Sequence, residues 1–134
     1  MLDLDKLNRM QMQVAIFMQC ANQKINFMKE PMLQDEELRA RLIEEEAKET
    51  CDAIRAGNLI DAIVGICDLI YVLMGAANAF GVDAEKYFQI VHNCNMKKFT
   101  GPKDIPGKQL KPPDFIGPEV EIKEEVKKEW GLLR

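Results

Sequence analysis

Apolar residues recur every three or four positions through most of the first hundred residues, and that spacing predicts helices. From Leu4 to about Phe27, Leu7, Met10, Val14, Phe17, Met18, Ala21 and Ile25 form one amphipathic stripe. Pro31 then forces an extended or turning path before Asp35 or a neighbour caps a second helix, expected to run to Ala56. Gly57-Asn58 stops it, and the short turn predicts an antiparallel hairpin with a third helix over about Leu59 to Phe80. That third segment is apolar around most of its circumference, as in a central helix or a subunit interface. Gly81-Val82-Asp83 ends it and starts a fourth helix, about Ala84 to Phe99. After Thr100 the chain turns rich in Pro and Gly, then closes with a short charged helix, about Glu119 to Leu133. The fold class expected is all-α: a four-helix-type bundle, oligomeric, with an irregular Pro-rich C-terminal segment. No heptad repeat persists, so a coiled-coil module is disfavoured.

Acidic residues interrupt this pattern where apolar ones are due. At 100° per residue, Glu49 lies about 40° and Glu46 about 100° around the axis from Glu45, in the arc of Leu38, Leu42, Ala53 and Ala56. On the third helix Asp61 and Asp68, one heptad apart, share a side to within about 20°. Carboxylates crowded into a bundle repel one another unless a cation neutralises them. Oxygen-only ligands point to a hard ion, Mg²⁺ with Mn²⁺ as a substitute, shared with substrate phosphates, and away from zinc. The competing account is a solvated acidic face braced by pairs such as Glu44 with Lys48. The cation reading fails if Glu45, Glu49 and Asp68 are dispersed toward bulk water with no hollow shared between them.

Composition narrows the options. With 134 residues, 47% hydrophobic, there is material for one domain with a real core. We expect a core over 1–100 and an extension over 101–134. A formal net charge of -4 does not suggest a nucleic-acid surface. The N-terminus lacks a signal-peptide pattern, and Asp61 and Asp68 break the long apolar run, so a cytoplasmic protein without a membrane span is expected. Cys20, Cys51, Cys67 and Cys94 show no paired spacing and are expected as reduced, small core residues.

Three segments in fixed order then acquire meaning together: Arg41-Leu-Ile-Glu-Glu-Glu-Ala-Lys-Glu49, Asp61 through Asp68-Leu-Ile-Tyr-Val72, and Val91-His-Asn-Cys-Asn95-Met96-Lys-Lys98. They resemble the all-α nucleoside triphosphate pyrophosphatases of the MazG-like superfamily, especially the small bacterial and phage members. Gly107-Lys-Gln-Leu-Lys-Pro-Pro is similar to a C-terminal segment of that subgroup. The resemblance implies Mg²⁺-dependent hydrolysis of an NTP or dNTP between its α and β phosphates. It implies Glu45, Glu46 and Glu49 as catalytic carboxylates, one of them orienting the attacking water or taking its proton. The same three with Asp61 and Asp68 would ligate metal. Asn95, Lys98 and Arg41 would meet the phosphates. Three residues after Asp61 the subgroup usually carries a second Asp where this chain has Val64. Asp68 then replaces that ligand, or metal binding is weaker, or activity is lost.

The partners implied are a nucleoside triphosphate and further copies of the chain in a homodimer or homotetramer, with no nucleic acid and no membrane. Tyr71 and Phe17 fit either a base-stacking or a core role, the core being the default. Gln19, Asn22 and Gln23 fit base reading or plain exposure, and His92 has no evident chemical partner. A phosphoribosyl-ATP pyrophosphohydrolase and a catalytically silent helical interaction protein are the rival readings.

Overall fold

The structure, a computed structural model, describes residues 4–27, 30–100 and 110–131. Among these residues it contains five α-helices and no strand: α1 (Arg9–Cys20), α2 (Glu36–Arg55), α3 (Leu59–Phe80), α4 (Ala84–Met96) and α5 (Glu119–Glu129). Short 3-10 turns cover Leu4–Lys6 and Lys97–Thr100. The all-α expectation therefore holds. The chain divides into two compact units, Met1–Ala84 and Glu85–Arg134.

In the first unit α3 packs chiefly along α2 and next along α1. Thr50 lies against Gly65 and Arg39 against Gly75, so α2 runs antiparallel to α3 as the hairpin reading requires. Close approach depends on the missing side chain at 65, because a Cβ there would lie 2.6 Å from Thr50 Oγ1 and 3.0 Å from its Cα. Asn58 caps α3 reciprocally with Asp61: the Asp61 amide donates to Asn58 Oδ1 (3.1 Å), and Asn58 Nδ2 donates to Asp61 Oδ2 (2.7 Å). At the far end Gly81 takes the left-handed conformation that terminates the helix.

α1 is shorter than its stripe suggests. It ends at Cys20, and Asn22 adopts a left-handed conformation that turns the chain away. The physical reason is tertiary, for the following segment docks on the C-terminal end of α3. The Asn26 amide donates to Asn78 O (3.0 Å) and Asn26 Nδ2 to Phe80 O (3.2 Å). Gln34 Nε2 donates to Ala79 O (3.2 Å) and the Met32 amide to Phe80 O (2.9 Å). Carbonyls that a helix end leaves unpaired are thereby satisfied. Gln11, fully buried, donates to Asn78 Oδ1 (3.0 Å) and Val82 O (2.8 Å) and accepts from the Ala84 amide (3.0 Å). Beside this network Val14, Met18 and Ala79 form the apolar core, flanked by Ile25, Met74 and Phe80.

By length and composition alone α3 would suffice to cross a membrane. Much of its apolar surface is uncovered, with Leu59 70% and Ile60 68% exposed. The cysteines are unpaired. Only Cys94 is buried, whereas Cys20, Cys51 and Cys67 are exposed rather than in the core expected of them.

In the second unit Tyr87, Ile90 and Cys94 are the buried residues of α4. Tyr87 Oη donates to Glu129 Oε1 on α5 (2.9 Å), and Lys86 pairs with Glu125 (3.3 Å) and Glu129 (2.8 Å). Lys98 and Lys111 both lie over the ring of Phe115. The terminal helix stops at Glu129, short of the expected Leu133, and residues 132–134 lie outside the described set.

Candidate active site

The acidic residues of α2 have different surroundings although they are close in sequence. Glu45 is exposed beside Arg41, with 4.0 Å between Arg41 Nε and Glu45 Oε1. Glu46, one position on, is half-buried, and its Oε2 is shielded from solvent without a hydrogen-bond partner. Burial first, then the charges of Glu49, Asp68 and Glu45, push its carboxyl above the ordinary glutamate value. An orphaned carboxylate oxygen among like charges is unfavourable by itself and is relieved by a cation or a proton.

Two of the hollows between the helices of the first unit carry acidic residues. The more acidic one, about 370 Å³, is lined by Glu49, Asp52, Asp61, Val64 and Asp68, with Ala53 and Gly65 completing the wall. Asp52 is already neutralised by Lys48 at 2.6 Å, which pulls its carboxyl below the ordinary range. Asp61 is engaged by Asn58. Glu49 and Asp68 remain as the carboxylates of this hollow without a hydrogen-bonded side-chain partner among the described residues. The second hollow, about 320 Å³, has Phe17 and Tyr71 on its wall, ring centroids 5.5 Å apart and edge to face. Gln23, Arg39, Glu46 and Asp68 are its polar lining. Asp68 borders both.

Glu46, Glu49 and Asp68 thus line the hollows that the α2–α3 hairpin creates, whereas Glu45 borders neither. Val64, where the superfamily resemblance places an Asp, lies on the acidic wall. Asn95 and Lys98 belong to the second unit, Asn95 exposed at the end of α4 and Lys98 half-buried beside Phe115. Arg41 is exposed on α2. Among the described residues, no three Asp, Glu, His or Cys side chains already converge into a metal-ligating group. The donor set is nevertheless all oxygen, and Glu46 Oε2 lacks a counter-charge, which suits a hard divalent cation.

Arg39 is the functional candidate that pattern reading passed over. It is 3% exposed, donates to Gln23 Oε1 (3.1 Å), and keeps a buried Nε–H with no acceptor. Burial pulls the guanidinium below its ordinary value, while Asp35 acts the other way. A signal was present: Arg39 precedes Glu46 by one heptad and so shares its side of α2 to within about 20°. Phe17 and Tyr71 also differ from their default reading, being 50% and 40% exposed rather than core.

Residues 14–95 match the family model for phosphoribosyl-ATP pyrophosphohydrolase, more than half of the 134-residue chain. The chain belongs to that family. No curated protein matches it. The matched span contains α2 and α3 whole, with both hollows, and most of α1 and α4. The phosphoribosyl-ATP pyrophosphohydrolase family is an all-α member of the MazG-like superfamily, and membership makes this protein a pyrophosphohydrolase, an enzyme acting on phosphoric anhydride bonds.

Proposed function

We propose that the protein hydrolyses a nucleoside triphosphate between its α and β phosphates, releasing the monophosphate and pyrophosphate, with Mg²⁺ or Mn²⁺ as cofactor. The observation that carries this reading is Asp68, one carboxylate bordering both an acidic and an aromatic hollow. A nucleotide has the matching composition, a flat aromatic body joined to a polyanion that travels with divalent cations.

Glu49 and Asp68 are the residues that would hold the ion, with Glu45 and Asp61 as further carboxylates nearby in the sequence motif. When bound, it supplies charge neutralisation and Lewis acidity at the phosphates. Glu46 we assign to the proton. Its Oε2 has no donor, and burial among the charges of Glu49, Asp68 and Glu45 raises its affinity for protons, which makes it a stronger base than an ordinary glutamate. Water forms a bond to the α-phosphorus, its proton passes to Glu46 Oε2, and the bridging P–O bond breaks with its electrons leaving on pyrophosphate. Asn95 and Lys98 are assigned to the phosphates on the motif resemblance, and Arg41 on its charge, since lysine or arginine offsets charge on the leaving group.

The test is pyrophosphate release from a panel of NTPs, dNTPs and phosphoribosyl-ATP in Mg²⁺ or Mn²⁺. Release from none of them rejects the proposal. The family match favours a second reading, with phosphoribosyl-ATP as substrate, and a tenfold higher kcat/KM for it than for every NTP decides for that reading. The uncovered residues Leu59, Ile60 and Ile63 on α3 support a homodimer or homotetramer. Sedimentation of a monomer at micromolar concentration would remove this part.

A further inference from the structure

In the second unit two lysines far apart in sequence, Lys98 and Lys111, meet at one aromatic ring. The ammonium of Lys98 lies 5.5 Å and that of Lys111 5.7 Å from the centroid of Phe115, so the two are at most about 11 Å apart. The local chain explains how the ring is held. Pro112 and Pro113 stiffen the backbone, and the Phe115 amide donates to Pro112 O (3.1 Å), closing a turn that returns the ring to Lys111. Lys98 reaches the same ring from the 3-10 turn after α4 and is half-buried there. Lys111 has no hydrogen-bond or ion-pair partner among the described residues. Asp114 and Glu121 line a hollow of about 360 Å³ with Phe115 and Lys97, and neither is paired with Lys111. A ring face attracts each ammonium. It also gathers like charges that repel each other across a partly desolvated surface, where screening is weaker than in bulk water. An anion with charge at two points, long enough to bridge both amines, relieves that repulsion. Pyrophosphate and the β and γ phosphates of a nucleotide are such anions.

We infer that Lys111 is a second contact for the β and γ phosphates beside Lys98, and that Phe115 is the positioning residue holding both ammonium groups. A lysine side chain free to rotate loses much rotamer entropy on binding, and a ring that already restrains the amine lowers this loss. The contacts strengthen as the bridging P–O bond breaks, because charge then accumulates on the departing pyrophosphate. Lys98, Lys111 and Phe115 all lie beyond the span 14–95 matched by the family model, so family membership does not specify them. The inference rests on the assignment of Lys98 to the phosphates given above and extends it by two residues outside the acidic motifs.

The probe is inorganic pyrophosphate, titrated calorimetrically into the full chain with EDTA present, because metal-free binding depends neither on the carboxylates nor on turnover. Lys98→Gln and Lys111→Gln should each weaken it at least fivefold, with the circular dichroism spectrum unchanged. Phe115→Leu should weaken it at least threefold, whereas Phe115→Trp, which keeps a ring face, should stay within twofold of the parent. Packing alone would make Phe115→Leu equally costly in every background. A positioning role lowers its cost below twofold in Lys111→Gln, where one of the two amines it holds is gone. With Mg²⁺ and nucleotide, Lys111→Gln should reduce kcat/KM for pyrophosphate release about tenfold, mostly through kcat. Unchanged pyrophosphate binding in Lys111→Gln, an undiminished cost of Phe115→Leu in that background, or no binding by the parent at millimolar pyrophosphate overturns the inference. If Lys111→Gln releases pyrophosphate from NTPs as fast as the parent, the contact fails while the enzymatic reading stands. Binding that depends on both lysines and the ring, in a protein that hydrolyses nothing, keeps the contact and removes the enzymatic reading.

Discussion

The two halves of α3 treat buried polar groups in opposite ways. At its C-terminal end Asn78 and Gln11, neither with any exposed surface, exchange hydrogen bonds with each other and with backbone, and Asn26 occupies the last carbonyls. In the middle of the helix, Asp68 faces a region where Arg39 Nε and Glu46 Oε2 are shielded from water and unpaired. A satisfied network fixes one geometry and has nothing left to offer a ligand. Groups held unpaired cost stability in the free protein, a cost that a bound cation or nucleotide can remove. The first pattern belongs to a fold and the second to a site.

The largest break expected is Glu46→Gln. Loss of the proton acceptor should lower kcat for pyrophosphate release by about 10²- to 10⁴-fold, while the fold, followed by circular dichroism, persists. Asn78→Ala attacks the other half. It strands buried groups of Gln11 and should cost about 2–4 kcal/mol in urea unfolding, with activity per folded molecule retained. Val64→Asp adds a carboxylate to the acidic wall and should tighten Mg²⁺ or Mn²⁺ binding about tenfold by calorimetry, because hard-ion affinity rises with ligand charge. If Val64→Asp gains turnover from an inactive parent, the chain is a silent relative whose site was lost at that position.

The smallest effect is on pH dependence. The Glu46 carboxyl binds its proton more tightly folded than unfolded, so its contribution favours the native state below the ordinary value of 4.5 and is lost as pH rises through the raised one. Metal-free protein should therefore lose a little melting temperature across this window. Glu46→Gln should flatten that part of the profile and melt slightly higher than the parent at neutral pH. Identical profiles for the two proteins would mean that Glu46 is ordinarily solvated.

Much of this architecture was legible in the sequence because it depends on local signals. α3 was bounded correctly at both ends, since Asn58 and Asp61 form a cap-and-return pair and Gly81 supplies the stop. α2 and its acidic positions followed from the same periodicity. The end of α1 was not legible, because helical spacing continues to Ile25 while Asn26 is claimed by α3. Gln11 and Asn78 read as ordinary polar interruptions, for their pairing spans 67 residues and exists only once α1 lies along α3. Arg39 was hidden by its setting among the charges of α2, where a solvated arginine is the usual case. Asp61, read as a ligand, has a capping duty that its spacing from Asn58 already announced.

The contact between Gly65 and Thr50 also constrains the history of this lineage. Thr50 Oγ1 donates to the carbonyl of Glu46 at 2.6 Å, so the bare backbone of α3 presses on the residue that holds the turn carrying the proposed base. A methyl group at position 65 would wedge the hairpin apart at that turn, although the glycine is itself no ligand and sits between Asp61 and Asp68. Drift at this silent-looking glycine would be purged as surely as drift at the carboxylates, and a survey of natural variants should find position 65 nearly as invariant as Glu46.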